Sequence, residues 1–372
     1  MKIGDNLKKR IALFVPTLEG GGAEKVMVNI AHGFLEAGHT VDFVLAKKVG
    51  HYVNELPADL NIVDLGAKHT SLTLISLSSY LRRVNPDVIL SAMDYANIVS
   101  LWAKKISRAK TLSVISEHSI LSRSLNKPPN FRSRLALPLL MRISYPMADK
   151  IVAVSGGIAK DISRSLNISK QKITVIYNPM RFDDILKKAR EPIDHPWYHP
   201  GEPPVLLSVG RLHPCKDYPT LFQAFLLARK KVNIRLIILG EGEERGSLES
   251  LARRLKINQY VDMPGFMKNP YNFMAASKVF VLSSQFEGFS NALIEAIACR
   301  CPAVSTDCPS GPKEIFKKTG VGRLVPVGKP DLLANAILEA LQKGEKRKPD
   351  FRAFYYEDLI KQYMRICGLY DS

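Results

Sequence analysis

Short apolar runs alternate along this chain with segments of helical spacing. Ile11–Pro16 is an apolar run that predicts a strand. A glycine-rich loop follows, then a helix through about Phe34. Further strands are expected at Val41–Leu45, Asn61–Leu65, Val88–Leu90, Thr111–Ile115, Ile151–Val154 and Ile173–Ile176. Between them, helical spacing covers Leu72–Leu81, a segment ending near Ile106, and one starting near Gly157. Such βα alternation predicts a doubly wound, mostly parallel sheet.

Asn178-Pro179 breaks the pattern. Glu191–Pro204 holds five prolines, two histidines and one tryptophan, without helical period, and reads as an interdomain connection. A second alternation then begins. Its strands are expected at Val205–Val209, Arg235–Leu239, Tyr260–Met263, Val279–Leu282, Ala303–Ser305 and Gly322–Val325. Its helices are expected near Tyr218–Lys230, Glu243–Leu255, Asn269–Ala276, Ser290–Cys299, Asp331–Leu341 and Phe354–Ile366. The fold class is therefore α/β, with two Rossmann-like lobes. The expected domains are 1–180, a linker at 181–203, 204–350, and a C-terminal helical segment at 351–372. Ligands in such sheets bind at the carboxyl ends of the strands, so two facing lobes would enclose a cleft.

Length agrees with two domains, since 372 residues is long for one core. A hydrophobic content of 46% suits a globular protein. No apolar run nears the roughly 18 residues that span a bilayer. Ile11–Val15 is too short for a secretory core, and Glu19 and Glu24 follow it. The five cysteines, at 215, 299, 301, 308 and 367, show no CxxC spacing and suit reduced thiols in a cytosol.

Charge changes the picture more. The net charge is +18, from 53 basic and 35 acidic residues. Residues 101–145 carry nine Lys and Arg against Glu117 alone, a local charge of +8. Such a cluster implies an anionic partner: headgroups, nucleic acid or a diphosphate.

Glu287-Gly288-Phe289-Ser290-Asn291-Ala292-Leu293-Ile294-Glu295 is the stretch around which candidate chemistry gathers. It follows the strand at Val279–Leu282 and opens a helix. One carboxylate lies in the loop and one in the second turn. Backbone N–H groups of Phe289, Ser290 and Asn291 at the helix start attract anions, and fixed carboxylates accept hydrogen bonds from hydroxyls. A phosphate together with several hydroxyls describes a nucleotide-sugar. Acidic residues at a helix start also simply complement the macrodipole.

Other strand ends add to this. Gly20-Gly21-Gly22-Ala23-Glu24 follows the first strand, where glycines admit close backbone approach. Ser208-Val209-Gly210-Arg211, then Lys216, ends the first strand of lobe two, with a planar fork and a point charge suited to a diphosphate. Ser116-Glu117-His118-Ser119 places a histidine where it can bond a reacting sugar. Asp307-Cys308-Pro309-Ser310-Gly311-Pro312 makes a fixed loop beside the organising helix. Gly240-Glu241-Gly242-Glu243-Glu244-Arg245-Gly246 imitates a dinucleotide fingerprint, but its spacing is one residue too long and three glutamates crowd the pyrophosphate position.

With these motifs in this order, nearly the whole chain resembles the retaining glycosyltransferases of the large GT4 family, with the two-lobed GT-B architecture. Glu287 to Glu295 resembles the family's E-x7-E motif. Arg211 and Lys216 resemble its diphosphate-binding pair, and Gly21-Gly22-Ala23-Glu24 its N-terminal glycine loop. Tyr177-Asn178-Pro179 resembles the end of its first lobe. The segments at Ser116 and Asp307 resemble a bacterial subgroup that builds lipid-linked oligosaccharides, capsules and lipopolysaccharide cores.

The resemblance implies roles. Arg211 and Lys216 would neutralise the leaving nucleoside diphosphate. Glu295 would bind ribose hydroxyls, and Glu287 the donor sugar. Gly288, Phe289, Ser290 and Asn291 would lie near sugar or phosphate. His118 would contact the sugar near the reacting carbon, Phe266 would lie near the base, and Gly21 and Gly22 would approach the donor diphosphate or acceptor. The C-terminal helix would cross back onto lobe one. The nucleoside-diphosphate sugar, UDP-linked in first place, is a substrate; no cofactor and no metal are expected. Fixed cations and helix N–H groups can stabilise the leaving charge. No second carboxylate is placed as a nucleophile, so a front-face route is favoured over double displacement.

The expected acceptor is a polyprenyl-diphosphate- or lipid-linked glycan. Phe131–Tyr145 mixes Leu135, Leu137, Leu139, Leu140, Met141 and Ile143 with Arg132, Arg134 and Arg142, after Arg123 and Lys127. Basic and apolar together suggest a helix lying on an anionic membrane, with Pro138 complicating it. The expected location is the cytoplasmic side of the plasma membrane, as a peripheral protein. A nucleotide-sugar 2-epimerase or a sugar phosphorylase on the same architecture stays open. Nucleic-acid binding is suggested by charge only, since the basic stretch lacks aromatic interleaving and a recognition motif.

Overall fold

A computed structural model describes residues 8–67, 70–122, 131–345 and 347–370. The chain divides into two compact units. One ends at Met180 and takes in the C-terminal segment from Phe354; the other is Arg181–Ala353.

The first unit is built on strands β1 (Arg10–Val15), β2 (Thr40–Leu45), β3 (Asn61–Asp64), β4 (Val88–Ala92), β5 (Leu112–Glu117), β6 (Lys150–Ala153) and β7 (Ile173–Val175). They form one parallel sheet in the order β3-β2-β1-β4-β5-β6-β7. The central strands are apolar on both faces because helices cover both. Helix Gly22–Glu36 and the C-terminal helix Tyr356–Ile366 build one core with Val26, Ile30, Phe34, Leu359 and Tyr363. On the other core, Leu77 and Leu81 of helix Leu74–Val84 meet Ala96 and Val99 of helix Asp94–Ser107.

The C-terminal helix thus returns to the first unit, as the resemblance implies. Gly33 decides how closely it packs: a Cβ there would come within 2.6 Å of the Ile360 side chain. The Tyr356 hydroxyl donates to the Asn29 carbonyl at 2.7 Å.

The second unit carries β8 (Val205–Val209), β9 (Arg235–Leu239), β10 (Val261–Gly265), β11 (Val279–Leu282), β12 (Ala303–Thr306) and β13 (Arg323–Val325). Their parallel order is β10-β9-β8-β11-β12-β13. In both sheets the first strand is central, and the winding direction reverses beside it. That reversal separates the loops after neighbouring strands and opens a binding position at their carboxyl ends.

Among the described residues, two α-helices escape the periodicity reading, Phe182–Lys188 and Pro312–Thr319. Each is two turns, too short to display a repeat. The proline-rich connection is also more ordered than its composition suggests. His195 Nε2 lies 2.9 Å from Asp262 Oδ2, and the Asn272 amide donates to the Pro192 carbonyl at 3.0 Å. Helix Phe131–Ser144 continues through Pro138.

Candidate active site

At the head of the second sheet, the loops after β8, β9 and β10 are stitched together. Gly210 N–H donates to the Leu239 carbonyl at 2.9 Å, Leu212 N–H to Glu241 at 2.8 Å, and Gly240 N–H to Gly265 at 2.8 Å. Close approach requires the glycines. Gly240 has φ +147°, and a Cβ there would sit 2.1 Å from the Gly210 carbonyl oxygen. A Cβ on Gly242 would sit 2.3 Å from the Leu212 oxygen. The glycines of the false dinucleotide fingerprint therefore serve turn-to-turn packing. One of its glutamates is engaged too: Arg245 Nε donates to Glu241 at 2.8 Å.

Lys216 stands at the centre of this platform. Its Nζ lies 2.7 Å from Glu287 Oε1, and Ser284 Oγ donates to the same oxygen at 2.6 Å. Local bonds hold both partners. Ser283 Oγ donates to the Lys216 carbonyl at 2.6 Å, Thr306 Oγ1 to the Ser284 carbonyl at 2.6 Å, and Gln285 N–H to the Cys215 carbonyl at 2.8 Å. Both side chains are largely buried. Burial opposes the charge on Lys216, but the Glu287 carboxylate, by charge and hydrogen bond, together with Tyr218 and Cys215, outweighs it and raises the pKa. The ammonium is therefore permanent at any physiological pH. Burial pushes the thiol of neighbouring Cys215 up to about 11, which removes it as a thiolate nucleophile at neutral pH. Arg211 is exposed one residue past Gly210.

The organising stretch closes the site. Ser310 Oγ donates to the Gly288 carbonyl at 2.7 Å. Gly311 has φ +87°, and a Cβ there would lie 2.5 Å from the Phe289 oxygen. The loop after β12 thus clamps the turn from behind. Ser290 caps helix Asn291–Ala298 in the left-handed region, at φ 75°. That conformation costs a non-glycine residue about 1 kcal/mol. Its hydroxyl is buried, at 8% exposure, and has no hydrogen-bond partner among the described residues. Leu293, Ile294 and Ile297 face the core, as their spacing predicts, while Glu295 is half-buried in the second turn. Phe266 follows β10 and is exposed.

The strand ends of the first unit are built differently. Glu24 is buried and accepts the N–H groups of Gly20 at 2.8 Å and Gly21 at 3.0 Å. Burial raises its pKa, with these bonds acting in opposition. The Gly21 amide that an anion would need is thus already given to Glu24. What the glycine loop offers a ligand is its lack of side chains. Gly22 is the first residue of the helix that follows.

His118 follows β5. Its Nε2 lies 3.0 Å from Ser116 Oγ, and burial lowers its pKa to about 4, so the imidazole is neutral at pH 7. Glu117 before it is fully buried, and Asp94, two residues past β4, opens the helix that follows. Sequence reading named neither acid as a site residue. The strand-end rule that selected His118 would also have selected Asp94, which follows Ser91-Ala92-Met93 directly. Met93 has φ 82°, a further mark of a strained strand end.

The structure therefore brings Lys216, Glu287, Gly288, Phe289, Ser290, Asn291 and Glu295 onto one platform, with Arg211 beside it. It places His118 and the glycine loop at strand ends of the other unit. Among the described residues, no group of three or more His, Cys, Asp or Glu is arranged to hold a metal ion.

Comparison with known proteins agrees with this geometry. Residues 20–183 match the family described as Glycosyltransferase Family 4, and residues 189–349 match Glycosyl transferases group 1. The chain is 30% identical, over 91% of its length and 92% of the relative's, to the N-acetylgalactosamine-N,N'-diacetylbacillosaminyl-diphospho-undecaprenol 4-alpha-N-acetylgalactosaminyltransferase of Campylobacter jejuni. It is 27% identical, over 93% of its length and 92% of the relative's, to the lipopolysaccharide core biosynthesis glycosyltransferase LpsE of Rhizobium meliloti. Among solved structures, Anabaena HepE in complex with UDP and glucose superposes with a TM-score of 0.75 at 19% identity, covering 97% of this chain and 99% of that one. The lipopolysaccharide outer core galactosyltransferase WaaB superposes with a TM-score of 0.70 at 23% identity, covering 96% and 99%. With two parallel-sheet lobes of the GT-B type and a relative this similar along almost its whole length, the chain belongs to the glycosyltransferases of family 4.

Proposed function

We propose that the protein transfers a sugar from a nucleoside diphosphate, UDP in first place, to a lipid-linked saccharide, with retention of anomeric configuration and without a divalent metal. The observation that carries this reading is the Lys216–Glu287 pair beneath a helix start whose Ser290 hydroxyl is buried and, among the described residues, unpartnered. A nucleoside diphosphate gains charge as it leaves. Lys216 keeps two ammonium donors beyond the one given to Glu287, Arg211 adds a planar fork, and the helix start adds its dipole. These groups are fixed before the reaction, and that lowers the barrier. Glu287 keeps the ammonium in place and leaves a carboxylate beside the sugar as it becomes cationic. Glu295 suits the ribose hydroxyls, and neutral His118 suits a sugar hydroxyl.

The relatives support the acceptor class, since one is named for an undecaprenol-linked saccharide and one for lipopolysaccharide core biosynthesis. Residues of helix Phe131–Ser144 support a membrane surface. Leu137 and Met141 are buried, while Leu139, Leu140 and Ile143 are 59%, 41% and 50% exposed beside exposed Arg142. Lys105, Ile106, Arg108 and Lys110 are exposed in and after helix Asp94–Ser107, which packs against it. Arg123 and Lys127 lie outside the described residues, as do the side chains of Arg132, Arg134 and Leu135. Among the described residues no helix is long and apolar enough to cross a membrane. The reading is peripheral binding to an anionic cytoplasmic leaflet.

The test incubates purified protein in EDTA with UDP-, GDP- and ADP-sugars and a polyprenyl-diphosphate-linked saccharide. The expected outcome is transfer from one UDP-sugar with an α-configured product. Activity that appears only on adding Mg²⁺ or Mn²⁺ overturns the metal-free part; an inverted product overturns retention.

A further inference from the structure

In the first unit the loops that leave the carboxyl ends of β1, β2 and β3 are joined into one rim. Lys47 N–H donates to the Pro16 carbonyl at 3.1 Å, Leu18 N–H to Val49 at 2.9 Å, Tyr52 N–H to Leu18 at 3.0 Å and Ala67 N–H to Ala46 at 2.9 Å. Gly50 permits this closeness: its φ is +117°, and a Cβ there would sit 2.1 Å from the Leu18 carbonyl oxygen. The rim has little positive charge to spare. Gly20 and Gly21 already give their amides to Glu24, and Lys25 is paired with Glu55. Among the described residues of the loops at this end of the sheet, Lys47 and Lys48 are the only lysine or arginine residues. Both are exposed, and neither forms an ion pair among the described residues. An anion held on this rim therefore meets these two ammonium groups.

An apolar surface adjoins them. β2 and β3 are neighbours, with Leu45 opposite Asp64, and Leu72 lies within about 18 Å of Ala67 along the chain. Leu72 and Ile75 are the most exposed large apolar side chains among the described residues, at 63% and 79%. The turn Thr70–Thr73 packs against helix Asp94–Ser107, at whose start Tyr95 is 48% exposed. Thr70–Leu81 carries no charged residue, so the outer side of helix Leu74–Val84 shows only Ser76 and Ser79 beside Ile75 before Arg82 and Arg83 end it. The solvent face of a helix is ordinarily charged, and clustered exposed apolar groups mark a contact surface. Helix Leu74–Val84 packs against helix Asp94–Ser107, which packs against helix Phe131–Ser144, so this surface continues toward the face proposed for the membrane. We propose that Lys47 and Lys48 bind the diphosphate of the lipid-linked acceptor, and that Leu72, Ile75 and Tyr95 receive the isoprenoid units next to it. The proposal rests on the acceptor class of the proposed function. Two compact ammonium charges suit a diphosphate, and apolar side chains take the adjoining hydrocarbon out of water. The donor diphosphate and the acceptor diphosphate are thus met by different lysines, Lys216 in one unit and Lys47 and Lys48 in the other.

Calorimetry on the full chain tests this, with melting temperature as the check on folding and UDP present to occupy the donor site. The probes are farnesyl diphosphate, farnesol and inorganic diphosphate. Wild type should bind farnesyl diphosphate about tenfold or more tighter than either fragment. The double variant Lys47→Ala, Lys48→Ala should weaken farnesyl diphosphate by about tenfold or more, the loss of charge-assisted bonds, and leave farnesol unmoved. The double variant Leu72→Ser, Ile75→Ser should weaken farnesyl diphosphate by about tenfold and leave inorganic diphosphate unmoved. UDP affinity should be that of wild type in both. No binding of farnesyl diphosphate by wild type, or equal binding by wild type and both variants, overturns the subsite, while UDP binding and transfer keep the proposed function standing. If one variant has no effect, its half of the subsite is overturned. If Leu72→Ser, Ile75→Ser loses binding to neutral vesicles but not to farnesyl diphosphate, the patch faces the bilayer and not the acceptor. Absence of both UDP binding and transfer in wild type overturns the proposed function, and farnesyl diphosphate still decides this site.

Discussion

The two units answer the same problem, a buried carboxylate at or just beyond the carboxyl end of a strand, in opposite ways. In the second unit Glu287 meets a cation, Lys216, at 2.7 Å. In the first unit Glu24 and Glu117 meet backbone amides and hydroxyls instead. The consequence is electrostatic. The Glu287 carboxylate helps to raise the Lys216 pKa, so the second unit keeps a full cation beside its strand ends, where the proposed function puts the departing diphosphate. Dipoles without a cation leave burial in control, and the acids rise toward neutrality.

Breaking the charged side should have the largest effect. Lys216→Ala leaves Glu287 buried without its cation, which should cost about 3 kcal/mol of stability. It should also slow transfer by roughly 10²–10³-fold, the usual loss for a donor to a developing anion. The double variant Lys216→Met, Glu287→Gln should recover the stability but not the rate. Recovery of both in steady-state assays would mean that the pair is only structural. Glu287→Gln alone should slow turnover more than it weakens nucleotide binding, because the sugar becomes cationic only in the transition state.

Glu295→Gln should come next, weakening nucleoside diphosphate binding by about 1.5–3 kcal/mol in calorimetry. Unchanged affinity would remove Glu295 from the ribose site.

The uncharged side can be tested by pH. His118 is lowered to about 4 from an ordinary 6.5, a depressed base. Its contribution to stability is fully present above pH 6.5 and is lost as pH falls toward 4. Melting temperature followed from pH 7 to 4 should therefore drop more steeply in wild type than in His118→Gln. Parallel curves would place His118 in water.

The proposed membrane face should respond to salt. Binding to vesicles with anionic lipid should weaken as salt rises, each basic group near the surface contributing on the order of 1 kcal/mol. Arg142→Glu should weaken it further, whereas neutral vesicles should bind neither form.

Ser290→Ala should have the smallest effect. Its hydroxyl has no partner to lose among the described residues, so stability should stay within about 0.5 kcal/mol. Nucleoside diphosphate affinity should fall by about 1 kcal/mol if the hydroxyl meets phosphate. A stability loss without an affinity loss would make Ser290 a cap only.

Much of this was legible from the chain alone. Buried parallel strands are apolar on both faces, so β1, β8 and β11 stand out as continuous runs such as Val279-Phe280-Val281-Leu282. The helix after Ser290 shows itself through Leu293, Ile294 and Ile297. Charge alone marked residues 101–145, and the order of short motifs pointed to the family. Phe182–Lys188 and Pro312–Thr319 stayed hidden because two turns show too little period.

The sequence by itself determined what is local: which segments are strands, which residues end them, and hence that Arg211, Lys216, His118 and Glu287 stand at strand ends. Tertiary structure alone decided who meets whom. Lys216 and Glu287 are 71 residues apart and pair because β8 and β11 are neighbours at the switch point. Glu117 meets Tyr145, 28 residues on, because the turn after helix Phe131–Ser144 reaches back to β5. Glu24 reads as a helix-start acid, yet folding turned it onto the loop amides that an anion would otherwise have used. The physical reason is range: apolar period acts over a few residues, whereas charge pairing in a dry interior depends on strand order, which no local pattern records.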